Sequence, residues 1–105
     1  MRILFDQGTP APLRGHLYPH PVDTTAERGW SVISNGELLK LAEEDGYEVF
    51  ITTDQNLRYQ QNLSGRRLGI VVLMATSWPR TKKRIPEILA AVSHVVGGGY
   101  EEVQL

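Results

Sequence analysis

The sequence lacks several features that would assign it to a specialised class. It contains no cysteine, which excludes a disulfide framework and any thiolate metal site. No stretch approaches the roughly 18 apolar residues that a membrane span requires. The apolar start Ile3-Leu4-Phe5 meets Asp6 at once, so no secretory h-region is visible. We therefore expect a protein of the reducing cytoplasm, without a membrane partner.

The sequence also lacks a charge excess of either sign. Its 11 basic and 12 acidic residues give a net charge of -1, so any nucleic-acid binding must come from a local patch. The length of 105 residues predicts a single domain over 1–105, and an apolar fraction of 41% is enough for an ordinary core.

Short apolar runs alternate with helical patterns along most of the chain. Strands are predicted at 2–5, 21–24, 48–52 and 68–73, with a C-terminal edge strand at 100–105. Helical segments are predicted at 9–17, 25–28, from a Ser34 cap to a Gly46 stop, at 57–62 and at 79–96. Pro86 either kinks the last helix or marks its true start. This alternation predicts a three-layer α/β domain around a mostly parallel sheet of order 2-1-3-4.

Two aspartates follow predicted strands. Asp6 closes the first, and Asp54 closes the strand at 48–52. With that strand order they lie at neighbouring strand ends, where open α/β sheets bind ligands. Paired carboxylates repel unless a cation joins them, and Mg²⁺ or Mn²⁺ prefers such oxygen ligands. Glu37 is a third candidate ligand, and Asn35 and Asn56 could add neutral oxygens.

Each acid also has a purely structural interpretation. Asp6 could cap the following turn, and Asp54 could close an Asx-turn. Glu37 stands three residues after Ser34, which is the spacing of a capping box. The sequence supports a capping role and a ligand role for Glu37 about equally. Two acids after two buried strands nevertheless favour a site when they are taken together.

Two other classes place acids after strands. A receiver domain would need a second acid beside the first, but Gln7 follows Asp6. It would also need a lysine after a fifth strand and usually a longer chain. A phosphatase with an Asp-x-Asp motif is excluded because residue 8 is glycine.

Basic residues form a second candidate site, for RNA phosphates, with Tyr59 or Trp78 as a stacking surface. The candidate contacts are Arg58, Arg66, Arg67, Arg80, Lys82 and Lys83. Taken alone, a solvated helix face is the simpler interpretation in a chain of nearly zero net charge.

Three segments occur in an order that resembles a known family. They are Ile3-Leu4-Phe5-Asp6-Gln7-Gly8-Thr9-Pro10, then Ser34-Asn35-Gly36-Glu37-Leu38-Leu39, then Val49-Phe50-Ile51-Thr52-Thr53-Asp54-Gln55-Asn56-Leu57. They resemble the Asp-x-x-x-Pro start, the Ser/Thr-Asp-x-Glu-Ile-Leu helix start and the Thr-x-Asp-x-Asp-Phe motif of the small PIN-like proteins. These are short relatives of PIN-domain nucleases, related to the Mut7 C-terminal type. The following Gly69-Ile70-Val71-Val72-Leu73 matches their next strand, so the likeness covers roughly the first 75 residues.

The resemblance implies a PIN-like fold and Mg²⁺- or Mn²⁺-dependent cleavage of RNA, with Asp6, Glu37 and Asp54 as the acids. It also implies a toxin role beside a small antitoxin-like protein, and a homodimer is common among such proteins. The sequence departs from the pattern at Asn35 and Asn56, where the family often has Asp. The alternative is therefore a catalytically weak or inactive module of the same fold that binds RNA or a protein.

Overall fold

The computed structural model describes residues 1–105 and contains one five-stranded parallel sheet. The strands are β1 (Ile3–Phe5), β2 (Val22–Thr24), β3 (Val49–Thr52), β4 (Gly69–Leu73) and β5 (Gly99–Val103). The helices are α1 (Leu13–His16), α2 (Asn35–Glu44), α3 (Leu57–Gln60), α4 (Trp78–Lys82) and α5 (Ile85–Val95). None of these helices has the length and apolarity to cross a bilayer.

The strand order is β2-β1-β3-β4-β5, which confirms the predicted order and the additional edge strand at the C terminus. Because every pair is parallel, all five strands end at one edge of the sheet, called here the carboxyl edge. The chain leaves β1 toward β2 and then crosses to β3 on the other side of β1. The topological switch point therefore lies between β1 and β3, directly before Asp6 and close to Asp54.

The sheet has a core on each face, which makes three layers. In β1, Ile3 and Phe5 point to one core cluster and Leu4 points to the other, as the period of two in a strand requires. The first cluster contains residues of α1 and α5, and the second contains residues of α2 and α3. All residues of β1, β3 and β4 are buried, which is why their sequences are continuous apolar runs and not alternating ones.

Several helices differ from their predicted extent. Residues 25–28 form a turn and not a helix, and α3 ends at Gln60 and not at Asn62. The pattern at 79–96 forms two helices, α4 and α5, and Pro86 stands at the start of α5 because a proline fits the first helical turn. The first helix begins at Leu13 and not near Thr9. Instead of capping a helix, the Thr9 hydroxyl donates to the Ile51 carbonyl at 3.0 Å and ties the loop after β1 to β3.

The reciprocal hydrogen bonds of a capping box form in the turn after β2, where no helix begins, and not at the predicted helix start. Ser34 is the N-cap of α2, but it makes no side-chain capping hydrogen bond, so the Ser34–Glu37 box was wrong. The reciprocal pair forms at Thr24 and Glu27. The Glu27 amide donates to Thr24 Oγ1 at 3.1 Å, and the Thr24 amide donates to Glu27 Oε1 at 3.0 Å. The Gly46 stop of α2 is confirmed by its left-handed φ of 87°.

Candidate functional site

Asp6 and Asp54 are joined through the hydroxyl of one buried threonine at the carboxyl edge. Thr52, the last residue of β3, donates from Oγ1 to Asp6 Oδ2 at 2.9 Å. The same oxygen accepts the Asp54 amide at 3.0 Å. Since the Thr52 side chain is fully buried, this bridge fixes the two aspartates relative to each other at the switch point.

The Asp54 carboxylate is held by two further groups. Its Oδ1 accepts the Asn56 amide at 3.0 Å, so the predicted Asx-turn exists. Its Oδ2 accepts Nδ2 of Asn35 at 3.2 Å, and the same amide lies 3.4 Å from Oε1 of Gln60. Asn35 at the start of α2 therefore meets Asp54 as a hydrogen-bond donor. On the other side, Asp6 Oδ1 accepts the Gln7 amide at 2.8 Å.

Neither Asp6 nor Asp54 has a cationic partner. The chain has two other aspartates, and both form ion pairs with arginine: Asp23 lies 3.7 Å from Arg2, and Asp45 lies 2.5 Å from Arg28. The half-buried pair at the switch point makes no ion pair with any basic side chain. Carboxylate oxygens without a cationic partner are donors of the kind that a hard divalent metal prefers.

Glu37 and Asn56 are less closely tied to the pair. The Glu37 carboxylate is exposed and forms neither an ion pair nor a hydrogen bond in the structure. Asn56 takes part through its backbone amide. No three His, Cys, Asp or Glu side chains lie together in a group that could hold a metal ion. The structure thus brings together Asp6, Asp54 and Asn35 of the predicted set.

A close approach of two loops shapes this edge. A Cβ atom on Gly8 would lie 2.2 Å from Oγ1 of Thr53, well inside the contact distance of real side chains. Glycine at residue 8 therefore lets the loop after β1 approach the residue that follows β3 without displacing the Thr53 hydroxyl. The bond from the Thr9 hydroxyl to the Ile51 carbonyl holds this loop against β3.

The predicted basic contacts divide between the two edges of the sheet. Arg66 and Arg67 precede β4 and so lie at the edge opposite the aspartates. Arg66 pairs with the half-buried carboxylate of Glu43, which also accepts the Arg67 amide at 3.0 Å. Burial would raise the pKa of Glu43, but these hydrogen bonds outweigh it and hold the pKa below its ordinary value. This pair fastens the loop before β4 to α2.

The remaining basic residues lie near the carboxyl edge. Arg58 in α3 stacks 4.7 Å above the ring of Tyr59, which is 72% exposed, and forms an ion pair with Glu102 at 3.3 Å. In α4, Arg80 donates from Nε to the Leu105 carbonyl at 2.9 Å. Lys82 and Lys83 are exposed and form no ion pair.

The two proposed stacking rings differ in access. Trp78 packs partly into the core and lies 5.7 Å from His16, whereas Tyr59 is open to solvent. Tyr59 is thus the ring of the two that is available to a ligand, in the helix that begins three residues after Asp54.

Sequence reasoning missed Thr52 as a residue of the site. Its signal was a polar, β-branched residue at the last position of an otherwise apolar strand, two residues before an aspartate. A fully buried hydroxyl at such a position needs hydrogen-bond partners, and here the partners are the Asp6 carboxylate and the Asp54 backbone amide.

Comparison of the chain with protein-family models, with curated proteins and with solved structures finds no match.

Proposed function

We propose that the protein is a metal-dependent endoribonuclease of PIN-like type, with its site at Asp6 and Asp54. The observation that carries the proposal is the pair itself. Two half-buried aspartates follow the neighbouring strands at the switch point, and neither has a cationic partner. The Thr52 hydroxyl links them, because it donates to the Asp6 carboxylate and accepts the backbone amide of Asp54. A Mg²⁺ or Mn²⁺ ion would supply their missing countercharge.

Each residue of the site has a distinct task in this proposal. Asp6 and Asp54 hold the ion through their carboxylate oxygens, and Thr52 keeps them in register. Asn35 orients Asp54 through the hydrogen bond at 3.2 Å. Glu37 has no hydrogen bond of its own, so its carboxylate is free to accept a proton from water. The ion, when bound, supplies an activated water and neutralises charge that develops on the phosphodiester.

The basic residues at the carboxyl edge suit an RNA strand that passes over the pair. Lys82 and Lys83 are exposed cations without partners, and Tyr59 offers a ring on which a base can stack. Arg58 and Arg80 are exposed beside them, each with one protein partner. Arg66 and Arg67 are not included, since they lie at the opposite edge. The resemblance adds a small antitoxin-like protein as a partner and a homodimer.

The test is cleavage of single-stranded RNA by the purified chain in the presence of Mn²⁺. We expect Asp6→Asn and Asp54→Asn each to lower the rate by about a hundredfold or more, because each removes a charged ligand. Asp23→Asn is the matched control, since Asp23 pairs with Arg2 and lies away from the pair. Equal cleavage by all three variants would assign the activity to a contaminant or to another site.

A second function is favoured by the Asn35 contact. Its amide occupies an oxygen of Asp54 that a metal would use, and Asn56 also brings no charge to the site. The alternative is therefore a catalytically weak or inactive module of the same fold that binds RNA or a protein. RNA binding at the carboxyl edge that needs no metal, together with absent cleavage, would favour this alternative.

A further inference from the structure

A pocket of about 230 Å³ lies beside Asp6, on the side away from Asp54. It sits over the carboxyl ends of β1 and β2 and is lined by Phe5, Asp6, Ala11, Arg14, Thr25 and Ala26, among others. Pockets for drug-sized molecules usually measure about 300 to 1,000 Å³, so this one suits a single ring system. Asp6 belongs both to this pocket and to the proposed metal pair.

The charges around the pocket argue against an anionic ligand. Arg14 is its only basic lining residue, and both oxygens of Glu27 bind the guanidinium, at 2.9 and 3.0 Å. The second amino group of Arg14 also donates to the Val22 carbonyl. The positive charge is therefore already balanced, while Asp6 adds a negative charge at the rim. A phosphate would be repelled, and a neutral ligand would not.

One lining residue has an unused hydrogen-bonding group. Thr25 is 1% exposed, and its Oγ1 has no hydrogen-bond partner. A buried hydroxyl without a partner destabilises the fold relative to a paired one. Rotation about χ1 exchanges the Thr25 hydroxyl and methyl group between staggered positions. In one of these positions the hydroxyl can form a hydrogen bond with a ligand in the pocket.

We propose that the pocket binds one unstacked nucleobase, with the Thr25 hydroxyl as a hydrogen-bond partner. Proteins recognise splayed-out bases by apolar contacts to the ring and hydrogen bonds to its edge. Phe5, Ala11 and Ala26 give the apolar contacts, and the Nε–H of Arg14, free of other partners, is a further donor for the edge. That the base belongs to an RNA strand whose phosphodiester lies at Asp6 and Asp54 rests on the proposed function.

The test uses the four free nucleosides as probes and follows backbone amide shifts by NMR. We expect millimolar binding of at least one nucleoside, with shifts confined to the residues around Thr25 and Ala26. Ala26→Leu should abolish these shifts because the larger side chain fills the pocket. Ala90→Leu, at an exposed alanine of α5, is the matched control and should bind as the wild type does. Thr25→Val should fold normally and bind about three- to tenfold more weakly.

Failure of this inference can be told apart from failure of the proposed function. If wild type cleaves RNA with Mn²⁺ while no nucleoside shifts the pocket amides, or if Ala26→Leu leaves nucleoside binding unchanged, the pocket proposal is overturned and the nuclease remains. If nucleosides bind at Thr25 while neither Mn²⁺ binding nor cleavage is found, the pocket stands and the nuclease does not. Unchanged nucleoside affinity in Thr25→Val would show that the Thr25 hydroxyl does not bind the base and would overturn that part of the proposal.

Discussion

The Thr52 hydroxyl lies 2.9 Å from Oδ2 of Asp6 and donates a hydrogen bond to it, from the last position of the neighbouring strand. The bond crosses the switch point of the sheet, where β1 and β3 run side by side. Because the same oxygen accepts the Asp54 amide, a single buried side chain ties the Asp6 carboxylate to the backbone of Asp54. The site depends on this residue although it is not itself an acid.

Replacing Thr52 by valine tests this dependence. Thr52→Val keeps the shape but leaves the Asp54 amide and one Asp6 oxygen without their partner. We expect the free energy of unfolding to fall by about 1–3 kcal/mol and the affinity for Mn²⁺ to fall as well. Thr52→Ser keeps the hydroxyl and should retain Mn²⁺ affinity. Denaturant unfolding and calorimetry measure the two effects; unchanged Mn²⁺ affinity in the valine variant would contradict the positioning role.

Asn35 allows a gain-of-charge experiment. Asn35→Asp places a third carboxylate beside Asp54, so we expect Mn²⁺ to bind on the order of tenfold more tightly. Without metal, repulsion between the two carboxylates should lower the melting temperature, and Mn²⁺ should raise it more than in wild type. Asn62→Asp adds the same charge in a turn and is the control. Equal or weaker Mn²⁺ affinity in Asn35→Asp would show that residue 35 does not reach the ion.

The basic residues should separate into structural and RNA-binding ones. Arg66→Ala leaves the half-buried Glu43 without its partner, so we expect a loss of about 1–3 kcal/mol in unfolding free energy and unchanged RNA affinity. Replacing both Lys82 and Lys83 by alanine should change stability by less than about 0.5 kcal/mol. It should, however, weaken RNA binding and lower its salt slope by about 1 to 2. Fluorescence anisotropy at several salt concentrations measures RNA affinity and its salt slope. Weaker RNA binding in Arg66→Ala, with unchanged binding in the double lysine variant, would contradict these roles.

The ion pairs of Asp45 with Arg28 and Arg2 should make the stability of the fold depend on pH. Hydrogen bonds from Arg28 and then from Arg2 hold the pKa of Asp45 below its ordinary value. A depressed carboxyl pKa stabilises the fold above the pKa of the unfolded chain, about 3.9, and this contribution is lost as pH falls through the folded value.

We therefore expect Asp45→Asn to be less stable than wild type at pH 7, with a difference that shrinks as pH falls below about 4. Thermal unfolding between neutral and acidic pH measures this difference. Glu44→Gln, next in sequence and without an ion pair, should show no such trend. A constant difference for Asp45→Asn at every pH would mean that the ion pairs do not cause it.

The strand order and the positions of Asp6 and Asp54 could be predicted because they rest on strong local signals. Buried parallel strands are continuous apolar runs, and the acids directly follow two of them. The break before α5 does not follow from the sequence, because a proline at residue 86 is compatible both with a kink and with a helix start.

The capping box and the basic patch show where sequence reasoning ends. Thr24-x-x-Glu27 and Ser34-x-x-Glu37 have the same spacing, and only the conformation of the chain selects the first. The sequence around Arg66 does not show whether this arginine contacts RNA or pairs with Glu43, because Glu43 lies 23 residues away along the chain. Such choices depend on tertiary contacts that no short pattern contains.

The most direct test of the account is isothermal titration of the purified chain with Mn²⁺. We expect wild type to bind Mn²⁺, Asp54→Asn to lose this binding, and Asp23→Asn to keep it because its carboxylate belongs to the Arg2 ion pair. Circular dichroism shows that each variant is folded. No binding by wild type at millimolar Mn²⁺, or equal binding by wild type and Asp54→Asn, would contradict a metal site at Asp6 and Asp54.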